Sequence, residues 1–119
     1  MVIAFDIDET ITEHPEFFSL LSRSLRTGGH SVIIITFRQD RKAVEEELRR
    51  WGIAYDELIT GSLESSLRYG VESWKGAMCR EHGVDIMFED DREVISSIDA
   101  SVLCFIPARG GRSRRARRA

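Results

Sequence analysis

Val2-Ile3-Ala4-Phe5-Asp6-Ile7-Asp8-Glu9-Thr10 is the stretch on which the reading of the fold turns. It begins as an apolar run and becomes acidic within one residue step. The run predicts a strand from Val2 to Ile7, and the carboxylates mark the end at which that strand meets water. Further along, apolar runs alternate with stretches of helical periodicity, the βαβ pattern of a parallel sheet covered by helices.

Moving outward, Pro15 suits a first helical turn, with Phe17, Phe18, Leu21 and Leu25 on one helix face and Gly28-Gly29 as its stop. Ser31 to Thr36 is a β-branched run that reads as a strand buried on both faces. A second helix is expected from Asp40 to Trp51, with Val44, Leu48 and Trp51 inward, ended by Gly52. A short third strand covers Glu57 to Thr60. Residues 61 to 72 are rich in turn formers and carry Leu63, Leu67 and Val71 without a decisive pattern. Ser73 reads as the N-cap of a helix through His82. A fourth strand spans Val84 to Glu89, a helix Arg92 to Ile98, and a fifth strand Val102 to Ile106. The expected fold is α/β, a three-layer Rossmann-like domain over residues 1–108 with five parallel strands in the order 5-4-1-2-3.

The 119 residues suffice for one domain, and no run approaches the ~18 apolar residues of a membrane-spanning helix. No basic leader precedes the first strand, and Cys79 and Cys104 show no metal-ligand or disulfide spacing. Both are expected as reduced, buried thiols in a cytoplasmic protein. The net charge of −3 conceals two regions of opposite sign. All 20 acids and 11 of the 17 basic residues precede residue 109, whereas residues 109–119 hold six arginines and no acid. That Gly-, Ser- and Arg-rich tail has no apolar residue larger than alanine and is expected to be disordered in isolation. It offers nucleic acid or another polyanion an electrostatic grip.

Open parallel sheets bind ligands beyond the carboxyl ends of their strands. The polar residues that interrupt the apolar runs fall at those ends: Asp6-Ile7-Asp8-Glu9-Thr10, then Thr36-Phe37-Arg38, then Glu89-Asp90-Asp91, with Lys75 early in the helix leading to the fourth strand. Carboxylates gathered there repel one another unless a cation sits among them, and Mg²⁺ takes oxygen ligands while keeping room for a phosphate. Together with a lysine and a threonine hydroxyl, these are parts for binding and transferring a phosphoryl group.

Asp6-x-Asp8-x-Thr10, Thr36, Lys75 and Asp90-Asp91, in this order and at these strand and helix ends, resemble the four motifs of the haloacid dehalogenase superfamily, spanning residues 6 to 91. The resemblance implies a phosphatase that hydrolyses a phosphate monoester. Asp6 would be the nucleophile forming an aspartyl-phosphate, and Asp8 the general acid and then base. Thr36 and Lys75 would hold the phosphoryl oxygens. Asp6, the backbone carbonyl of Asp8, and Asp90 would bind Mg²⁺, with Asp91 as a direct or indirect partner. Arg38, at the mouth, is a candidate substrate contact. Many members carry a cap domain, but only 25 residues separate Thr10 from Thr36, and residues 37 to 74 are filled by a helix, a strand and a turn-rich stretch. A capless site suits a large substrate or closure by a second subunit of a homo-oligomer. Glu9 stands where glycine is frequent in the family. The acidic strand end at Glu89 is similar to nucleotidase-like members.

Two other readings compete. A receiver-like phosphoryl acceptor needs an acid at the end of the third strand, where this chain has Thr60-Gly61. A phosphate- or nucleic-acid-binding protein with little hydrolase activity rests on the arginine-rich tail. No membrane partner is expected, since no run is long and apolar enough to span one.

Overall fold

The structure, a computed structural model, describes residues 1–111. The arginines at 112 and beyond, and with them most of the tail expected over 109–119, lie outside the described residues. Five strands, β1 (Val2–Phe5), β2 (Ser31–Thr36), β3 (Glu57–Thr60), β4 (Ile86–Phe88) and β5 (Leu103–Phe105), form one parallel sheet in the order β3-β2-β1-β4-β5. This is the expected α/β architecture and strand order. β1 is central, pairing Phe5 with Ile34 on one side and with Phe88 on the other.

Side-chain alternation divides the core in two. Ile3, Phe5, Val32, Ile34 and Leu58 face α1 (Pro15–Thr27) and α2 (Arg41–Trp51), packing on Phe18, Val44 and Leu48. Ala4, Ile33, Ile35 and Met87 face the opposite layer, where α4 (Val71–Glu81) and α5 (Arg92–Ser96) supply Trp74, Ala77, Met78 and Val94. α1 buries Phe18 but leaves Phe17 half-exposed, so only one of the adjacent phenylalanines is a core residue. Trp51 is half-buried at the edge of its core, and Cys104 is half-buried where Cys79 is fully enclosed.

The undecided stretch 61–72 contains a further helix, α3 (Leu63–Tyr69), capped by the Ser62 hydroxyl, which accepts from the Ser65 N–H at 3.0 Å. Gly70 at φ 78° then redirects the chain, and α4 starts at Val71. Ser73 therefore lies inside the first turn of α4 and is not its cap. β4 and β5 are shorter than the expected 84–89 and 102–106, although the Asp85 N–H still donates to the Val2 carbonyl and the Glu89 N–H to the Phe105 carbonyl. Two aspartates pin strand starts: Asp85 accepts from Val2 N–H and Asp56 from Val32 N–H, each at 2.8 Å.

Candidate active site

The site lies where β1, β2 and β4 end and the winding of the sheet reverses. Asp6 follows β1 directly, and its N–H donates to the Phe88 carbonyl at 3.0 Å, extending the β1–β4 pairing by one step. Ile7–Ile11 then makes a single wide turn, closed by the Thr12 N–H on the Ile7 carbonyl at 3.1 Å. Glu9 takes φ 61° and ψ 5° there, a left-handed conformation that costs an L side chain about 1–2 kcal/mol. Its backbone conformation explains why glycine suits this position. The turn places Thr10 under Asp6, so that the Thr10 hydroxyl donates to Asp6 Oδ2 at 3.2 Å.

Lys75 projects from α4 into the site and is 2% exposed. Its Nζ donates to Asp6 Oδ1 at 2.6 Å and to Glu89 Oε1 at 2.7 Å, and it sits 4.7 Å from the centre of the Phe37 ring. Glu89 is equally buried; its Oε2 accepts from the backbone N–H groups of Asp90 and Asp91 at 3.0 and 3.1 Å. Carboxylate oxygens of Asp6, Glu89 and Asp90 lie within 4.8 Å of one another. Asp91 caps α5, accepting from the Glu93 N–H at 2.9 Å.

The electrostatics follow from crowding. Burial pushes Asp6 up to about 8; Lys75 opposes that rise and Glu89 adds to it. Burial also raises Glu89, again against Lys75. Burial lowers Lys75, but the two carboxylates outweigh it and hold the ammonium above its ordinary value. Asp90 is pushed up by burial and pulled down more strongly by hydrogen bonds with Asp6, Glu89 and Glu9, for a net fall. One lysine therefore serves two buried acids, both still held above their ordinary values. A hard divalent cation fits this all-oxygen donor set.

The residues expected at the site do not all meet in the same way. Asp6, Asp8, Lys75, Asp90 and Asp91 line one cavity of about 220 Å³, together with Glu9, Phe37, Glu89 and Val94. Thr36 and Arg38 do not line this cavity; Thr36 is buried, its hydroxyl accepting from the Arg38 N–H at 3.2 Å. Arg38 forks onto Asp8, with its Nη2 2.7 Å and its Nε 3.2 Å from Asp8 Oδ1, and its other nitrogen pairs with Glu47 of α2. The Asp8 hydrogen bond raises Arg38 above its ordinary value, against the effect of partial burial. No family model, curated protein or solved structure matches this chain. The case for function thus rests on geometry and chemistry. Two contributors escaped the sequence reading: Glu89, visible there only as an acid at a strand end, and Glu47, which carries no local signal.

Proposed function

We propose that the chain is a Mg²⁺-dependent phosphatase that hydrolyses a phosphate monoester through an aspartyl-phosphate on Asp6, as its resemblance to the haloacid dehalogenase superfamily implies. The supporting observation is the buried Lys75 ammonium, 2.6 Å from Asp6 and 2.7 Å from Glu89, with Asp90 completing a carboxylate cluster. A carboxylate that receives a phosphate dianion needs a positive charge beside it, which opposes the rise that burial imposes on Asp6 and offsets the incoming charge.

Asp6, Asp90 and the Asp8 carbonyl are the groups to hold Mg²⁺, with Glu89 behind them. The ion would supply positive charge to the phosphoryl oxygens as the carboxylate attacks. Asp6 attacks phosphorus, its Oδ–P bond forming as the bond from phosphorus to the ester oxygen breaks. Asp8 gives its proton to the departing alkoxide, which leaves as an alcohol. A water oxygen then attacks the same phosphorus while Asp8 takes the water's proton. The Oδ–P bond breaks, releasing inorganic phosphate and restoring the Asp6 carboxylate. Lys75 stays on Asp6 throughout, and Thr36 takes the phosphoryl-oxygen role that the resemblance implies. The Arg38 fork must open for Asp8 to carry a proton, so Arg38 becomes available at the mouth when the acid acts.

Hydrolysis of p-nitrophenyl phosphate tests the reading. It should require Mg²⁺ and disappear in Asp6→Asn; turnover that survives this substitution or ignores the metal would overturn the assignment.

A further inference from the structure

The α1–α2 face of the sheet is unevenly covered. Ile86 and Phe88 of β4 are register partners of Leu103 and Phe105 of β5, so all four side chains point to that face. Phe18 of α1 touches Phe88 with ring centroids 5.5 Å apart, and Phe88 stacks on Phe105 at 5.4 Å. Phe17 continues the series against Phe18 at 5.1 Å. Ser19 and Arg23 mark the flank of α1 that meets α2, since the Ser19 hydroxyl donates to the Gly52 carbonyl at 3.0 Å. Phe17 is on the opposite flank, toward β4 and β5, with Leu20 one turn on. Phe17, Leu20, Leu103 and Phe105 are each 45–60% exposed, and Ile106 adds to them at the strand's end. One aromatic ladder thus runs out of the core into solvent.

We propose that a second copy of this chain covers this face, in a two-fold symmetric dimer. Area and charge argue for the second copy. At on the order of 100 Å² per half-exposed large side chain, five such residues offer about 500 Å² per copy, or about 1,000 Å² for a pair, the lower bound of a specific interface. A face that packs on its own image must carry both charge signs at its rim. Here Glu13, Glu16 and Arg109 line one hollow beside Phe17. Arg109 stands at this rim on an otherwise acidic chain, so it can meet the acids of the other copy. Residues 112–119 contain only Arg, Ser and Ala and supply no apolar surface to cover the face from within the chain.

Sedimentation equilibrium of the full chain, at tens of micromolar and moderate salt, should give about twice the 13.6 kDa chain mass. Leu103→Lys and Leu20→Lys, both exposed positions, should each return a single-chain mass with unchanged far-UV circular dichroism. Leu67→Lys, an exposed leucine on α3 away from this face, should leave the dimer intact. A single-chain mass for the unmodified protein at 200 µM would overturn the proposal, as would a dimer broken by Leu67→Lys but not by Leu103→Lys. A fall of at least tenfold in dimer affinity between 50 and 500 mM salt is expected from the charged rim, while a complex insensitive to both salt and Leu103→Lys would place the contact elsewhere.

Discussion

Replacing Lys75 with methionine tests whether the buried lysine is the element on which the acidic cluster depends. Methionine keeps the volume and the contact with Phe37 but removes the one cation that touches Asp6 and Glu89 among the described residues, each within 5% exposure. Removing one partner of a buried pair costs about 3–5 kcal/mol, on the order of 10–20 °C in Tm for a domain of this size. The loss should depend on pH with a defined sign. The folded protein holds Asp6 at about 8 against an ordinary 3.8, so between those values the native state keeps a proton that the unfolded chain releases. Stability contributed at Asp6 therefore falls as pH rises through that window. Lys75, raised above its ordinary 10.5, contributes fully below that value, and its effect fades only as pH climbs through the higher folded value. Without Lys75, both acids rise further. Below about pH 8 Asp6 keeps its proton with or without Lys75, so its share of the penalty is flat there and grows above pH 8, where only the variant still holds the proton. Differential scanning calorimetry of both proteins at pH 6, 8 and 9.5 reads this directly. A Tm loss below about 3 °C, or one no larger at pH 9.5 than at pH 6, would refute the claim that Lys75 compensates two buried charges.

The same acids give a second expectation. Because a proton on Asp6 competes with a cation, millimolar Mg²⁺ should raise Tm more at pH 8 than at pH 5.5; a larger rise at the acidic pH would contradict it. At Glu9, where φ is 61°, substitution by glycine relieves strain and separates an acid from Asp90. Urea titration of Glu9→Gly should show a gain of about 0.5–1 kcal/mol, less than the full strain because glycine adds freedom to the unfolded chain. A Cβ on Gly76 would stand 2.5 Å from the Ser97 carbonyl oxygen, backbone that cannot swing aside. Gly76→Ala should thus lose about 1–3 kcal/mol by the same titration. Burial pushes the Cys79 thiol up to about 11, so a thiol reagent at pH 8 should label half-buried Cys104 first and reach Cys79 only on unfolding.

What the sequence disclosed followed from burial. Val2–Phe5 and Ser31–Thr36 are covered on both sides, so their inner residues had to be apolar, and the first polar residue after each marks the edge at which the candidate site lies. The stretch around α3 escaped because Leu63 and Leu67 face solvent there, at 69% and 79% exposure. Their spacing was helical, but periodicity identifies a helix by the core it covers, and this face covers none. The start of α4 was set by Gly70, whose positive φ ends one helix and opens the next within a single residue. A serine three positions later had the right chemistry for a cap at the wrong point in the chain. Glu89 was legible as a residue but not as a role. Nothing local indicates that its side chain turns inward to share Lys75, since that depends on α4 and β4 arriving at the same depth.

Glu89 also explains why the cluster is suited to chemistry more than to stability. A lone Asp6–Lys75 pair would be neutral and inert, its carboxylate fully satisfied by one ammonium. Adding Glu89 divides that ammonium between two anions, and the N–H groups of Asp90 and Asp91 stabilise the second of them. Asp6 is then only partly satisfied by Lys75, and it faces a cavity that Asp90 and Asp91 also line. Mutual repulsion among such groups raises the free energy of the empty site, and any ligand that supplies positive charge relieves it. Glu89→Gln separates these effects. It leaves Lys75 wholly to Asp6, so Asp6 should titrate below its present value of about 8, and the Mg²⁺-induced rise in Tm should shrink while the metal-free protein gains stability. If the neutral glutamine left both the metal response and the metal-free Tm unchanged, Glu89 would be a packing residue, and the shared-lysine account of the site would be wrong.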